Sequence, residues 1–113
     1  MSNFVVKKVY SFPWPVKLKL PNNGQYEDQI VNFIFKLPKN DELKEIFKKF
    51  NETKLYADFC KQVILGWTEL KDEDQNEFPF NEENLGHLLN NNSFGQQIFD
   101  QFFEITNGAV AKN

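Results

Sequence analysis

The hydrophobic pattern changes its period once, at Pro38, and that switch limits the fold more than any other feature of the chain. Before it, "VKLKL" at 16–20 sets Val16, Leu18 and Leu20 on one side and two lysines on the other. "QIVNFIFKL" at 29–37 aligns Val31, Phe33, Phe35 and Leu37 in the same way. Alternation of period two belongs to half-buried strands. After Pro38, Leu43, Ile46, Phe47 and Phe50 recur at helical spacing. Strands followed by helices predict an α+β fold: an N-terminal β-hairpin or small antiparallel sheet, then a bundle of about four helices. With 113 residues and no long linker, the chain reads as one domain. Residues 1–38 form its β-rich part, 39–107 its helical part and 108–113 a flexible tail.

The boundaries follow from local chemistry. "FVVKKVY" at 4–10 reads as a short strand, which Pro13-Trp14-Pro15 interrupts. "PNNG" at 21–24 is a turn, with a loop of moderate length expected between 16–20 and 29–37. Asn40 or Asp41 can cap the first helix, and Asn51 to Thr53 looks like a break. Thr53 can cap a second helix bearing Leu55, Tyr56, Phe59, Cys60, Val63 and Ile64, with Gly66 as its C-cap. Asn81 can cap a short helix carrying Leu85, Leu88 and Leu89, its first turn holding Glu82 and Glu83. Ser93 and Gln96 fit a capping box for a last helix rich in Phe, stopping at Asn107-Gly108.

Composition narrows the function. Residues 1–60 carry ten lysines against seven acids, and residues 61–113 three against nine. Arginine is absent and the net charge is −3, which argues against a nucleic-acid partner and leaves self-association between unlike halves open. No apolar run approaches the roughly 20 residues of a membrane span. A single Cys60 and no signal-like segment lead to the expectation of a reducing cytoplasm.

No constellation supports catalysis or a cofactor. Asp72, Asp74, Asn76 and Glu83 match positions of a calcium loop, but Glu77 stands where the loop needs glycine. His87 is the only histidine, too few for zinc, and Cys60 lies in an apolar helix face where a thiol is inert. The expectation is a protein that is not an enzyme and holds no metal. Aromatic residues remain. The chain has 13 Phe, more than such a domain needs inside, so some are candidates for a partner surface.

The segment "VILGWTELKDEDQNEFPFNEENLGHLL" at 63–89, followed by "SFGQQIFDQFFEITNGAVAKN", resembles the tail assembly chaperones of long-tailed bacteriophages. The likeness rests on Trp67 after an apolar helix, the acidic turn Asp72 to Asn76, and Pro79-Phe80 before Glu83-Asn84-Leu85 and Leu88-Leu89. An aromatic helix and the ending Ala111-Lys112-Asn113 complete it. Members often carry glycine in the acidic turn, where this chain has Gln75-Asn76. The resemblance implies a non-enzymatic chaperone in the host cytoplasm, absent from the mature virion. Its partners would be the tape measure protein, kept soluble, and the major tail tube protein. Trp67, Phe78, Phe80, Phe99, Phe102 and Phe103 are the candidate contacts. The alternative is a structural or adaptor protein of the phage particle, its hairpin pairing with a neighbour's sheet edge.

Overall fold

In a computed structural model the described residues are 6, 10–90 and 92–111, with the backbone alone at 92 and 108–111. The fold is α+β. In chain order the elements are β1 (Tyr10–Asn22), β2 (Gln25–Leu37), α1 (Asn40–Thr53), α2 (Tyr56–Val63), β3 (Ile64–Thr68), α3 (Glu82–Leu89) and α4 (Asn92–Ala111). The sheet is antiparallel with β2 in the middle. Of the strand expected at 4–10, Tyr10 opens β1, while residues 4, 5 and 7–9 lie outside the described residues.

Two expectations about the hairpin are corrected. The loop has only two residues, Asn23 (φ 51) and Gly24 (φ 78), because this left-handed pair gives a turn whose twist matches the flanking strands. The strands therefore run on to Asn22 and Gln25. Nor do Pro13 and Pro15 interrupt β1. They pair opposite Ile34 and Asn32, and an edge strand tolerates proline wherever the missing N–H would point away from its neighbour.

The largest correction concerns Gly66. The second helix ends at Val63, and Ile64 (φ −90, ψ 119) passes directly into β3. Gly66 is a strand residue paired with Ile34, not a helix cap. The register slips between Ile34 and Phe35, which leaves Leu65 as an unpaired bulge. That extra residue flips the alternation. Ile64 and Trp67, three apart, both turn inward and are buried, while Leu65 stays exposed.

All the helices lie on one side of the sheet. Val16, Leu18, Val31, Phe33 and Phe35 from the sheet meet Ile46, Phe59, Cys60, Val63, Leu85, Leu89, Ile98 and Phe102 from the helices. Asn81 caps α3 as its position predicts, its Oδ1 accepting from the Asn84 N–H at 2.7 Å. Thr53 does not cap α2: its hydroxyl accepts from the Leu55 N–H, and Leu55 takes the cap position. The expected side-chain cap of α1 is also missing, since Lys39 holds that position without a cap bond. Finally, α4 starts at Asn92 and continues past Gly108 to Ala111. One interior glycine costs a helix only about 1 kcal/mol, too little by itself to end it.

Candidate partner surface

The six aromatic candidates separate into two groups in space. Trp67 belongs to the core at 7% exposure. Its indole Nε1 donates to the Phe78 carbonyl at 2.7 Å, and its ring stacks on Phe78 at 5.8 Å and meets Phe80 edge-on at 5.0 Å. The segment between them folds into a small hairpin in which Lys71 bridges Glu77 and the Phe78 N–H donates to the Leu70 carbonyl at 2.8 Å. Trp67, Phe78 and Phe80 thus close over the sheet as a lid, and Phe78 and Phe80 are half-buried.

The acidic turn serves its own backbone. Asp72 Oδ1 accepts from the N–H groups of Asp74 and Asn76 at 2.9 and 3.0 Å, and Gln75 takes a left-handed conformation (φ 65). Among the described residues no group of three or more His, Cys, Asp and Glu could hold a metal ion. His87 faces the Phe78 ring at 6.4 Å. Cys60 is fully buried, its Sγ donating to the Gly95 carbonyl at 3.4 Å, and burial pushes its pKa up to about 12. A thiol that stays protonated is a poor nucleophile.

The second group lies on α4. Successive residues are rotated by about 100° around a helix, so neighbours in sequence reach different surroundings. Ile98 and Phe102 point into the core and are fully buried. Phe99 and Phe103 point toward α1. Phe99 stacks on Phe50 at 4.5 Å, Phe47 meets Phe103 edge-on at 5.8 Å, and Phe103 keeps 45% of its surface exposed. Along α1, Leu43, Lys44, Phe47, Lys48, Asn51 and Glu52 line an open groove beside this contact. Leu43, Phe47 and Phe103 therefore form an apolar strip bordered by exposed charges.

Of the residues singled out from sequence, Phe103 and part of Phe99 reach this strip; Phe102 and Trp67 do not. Sequence reasoning placed Leu43 and Phe47 on the helical repeat of the first helix and did not name them among the partner contacts. The signal available was Lys44 and Lys48, which interleave with them on the next arc of the same helix. No described helix is long and apolar enough to cross a membrane.

A family described as YdaY prophage protein matches residues 21–112, which spans β2, β3 and all the helices. No curated protein and no solved structure matches the chain.

Proposed function

The chain belongs to the YdaY prophage protein family, and from that premise we propose that it is a non-enzymatic tail assembly chaperone. In this reading it works in the host cytoplasm, binds the tape measure protein and keeps it soluble, and helps to recruit the major tail tube protein. It leaves before the virion matures. The observation that carries the reading is the Leu43–Phe47–Phe103 strip, a partly exposed apolar surface on two helices with a groove alongside. An amphipathic helix of a long helical client can lay its apolar face on such a strip. The half-exposed Phe103 is the natural anchor, because aromatic side chains at the centre of an interface carry much of its binding energy.

Co-expression with the tape measure protein of the same prophage tests this. The intact chain should hold the client in the soluble fraction, and Phe103→Ser should release it to the pellet while the variant itself stays folded. A client that is equally soluble with Phe103→Ser, or without the chain at all, overturns the proposal. Mass spectrometry of purified virions adds a separate check, since a chaperone is missing from them.

A further inference from the structure

Lys17 and Lys19 of β1 direct their backbone groups away from β2 and toward α4. Gln101 Oε1 accepts from the Lys17 N–H at 3.1 Å, and Gln101 Nε2 donates to the Lys17 carbonyl at 2.7 Å. Gln97 repeats the pattern on Lys19, at 2.7 and 3.2 Å. Each amide thus both accepts from and donates to a single strand residue, and Gln101 Nε2 also donates to the Gln97 carbonyl at 3.4 Å. A residue of a neighbouring antiparallel strand would make the same pair.

From Pro13 to Pro21 the rest of this edge needs no cover. Backbone direction alternates along a strand, and β1 pairs with β2 without a slip from Tyr10 to Asn22, so between Pro13 and Pro21 the outward side falls to residues 13, 15, 17, 19 and 21. Three of them are Pro13, Pro15 and Pro21, which have no N–H to offer. The two that do have one are those the glutamines hold. Between Pro13 and Pro21 no outward donor is left over.

We propose that Gln97 and Gln101 stand in for a fourth strand and close the β1 edge against pairing with a second copy of this chain. Anchoring α4 does not account for them, because Ile98 and Phe102 on the adjacent arc are already fully buried. A second copy is the natural occupant of the bare edge, which is self-complementary about Leu18. Set antiparallel, Lys17 of each copy faces Lys19 of the other, and their outward groups form four backbone bonds. Unpaired strand edges are the usual route to such association.

Sedimentation velocity and amide exchange on the full chain test the proposal, at high salt to screen the facing lysines. In the double variant Gln97→Ala, Gln101→Ala, the Lys17 and Lys19 amides should exchange about tenfold faster, the factor set by losing a hydrogen bond of ordinary net strength. The variant should also dimerise with rising concentration. Adding Lys19→Pro should return it to the sedimentation of the parent chain, because each Lys17–Lys19 pair between copies then loses one of its two backbone bonds. Gln96→Ala, on another arc of α4, should change neither reading. If the double variant does not fold, Gln97→Glu takes its place: it keeps an acceptor for the Lys19 N–H and loses the donor to the carbonyl. Unchanged exchange, faster exchange with unchanged sedimentation, or association that persists with Lys19→Pro each overturn the proposal.

Discussion

Cys60 shows how burial alone sets the chemistry of a residue. In the unfolded chain its thiol ionises near the ordinary thiol value of 9.0, whereas in the fold burial holds it protonated up to about 12. The unfolded state therefore gains stability from ionisation first. This contribution to folding is intact below pH 9.0 and is lost as pH rises toward about 12, at up to about 1.4 kcal/mol per pH unit. Chemical denaturation across that range should give a steeper loss for the parent chain than for Cys60→Ala; parallel curves would show the thiol to be exposed. Trp67 makes a different residue-scale case. Trp67→Phe keeps most of the buried surface and strands the Phe78 carbonyl, at a cost of about 1–3 kcal/mol readable by urea unfolding.

Helix α4 presents three arcs, each meeting a different neighbour: glutamines on the β1 edge, Ile98 and Phe102 on the core, Phe99 and Phe103 on α1. Gly95 permits the close approach to α2. A Cβ there would lie 3.1 Å from Tyr56 Cβ, so Gly95→Val should destabilise the fold by about 1–3 kcal/mol in thermal or urea unfolding. Much of this level was legible in the sequence. The alternating stretches, the Asn81 cap and the apolar stripes are all local signals. The missed elements depend on distant partners. Ile64 and Trp67 are spaced like helix residues because the Leu65 bulge inserts one residue into the strand alternation, and nothing local announces a bulge. The prolines of β1 read as breakers because their harmlessness depends on which side faces β2. In the candidate site, Phe102 and Phe103 look alike in sequence; only the position of α1 and the sheet makes one core and the other surface.

For the whole molecule, the radius of gyration of 15.4 Å exceeds the roughly 13 Å of a compact domain this long. The far end of the hairpin reaches beyond the core: residues 25–30 are all exposed, and Tyr26 and Ile30 keep 73% and 61% of their surface. Deleting Pro21-Asn22 together with Gln25-Tyr26 would shorten the arm by two residues per strand, preserve its alternation and keep the Asn23-Gly24 turn. Thermal unfolding should move by less than the equivalent of about 1 kcal/mol, since no buried side chain is removed; a larger loss would mean the arm supports the core. The edge of β1 also has a history in time. Lys17 and Gln101 are 84 residues apart, so at about 5–20 residues per second a ribosome needs roughly 4–17 s to deliver the glutamine after the strand it covers. Pro13, Pro15 and Pro21 work from the moment the hairpin closes. They guard the nascent chain during the seconds before α4 exists.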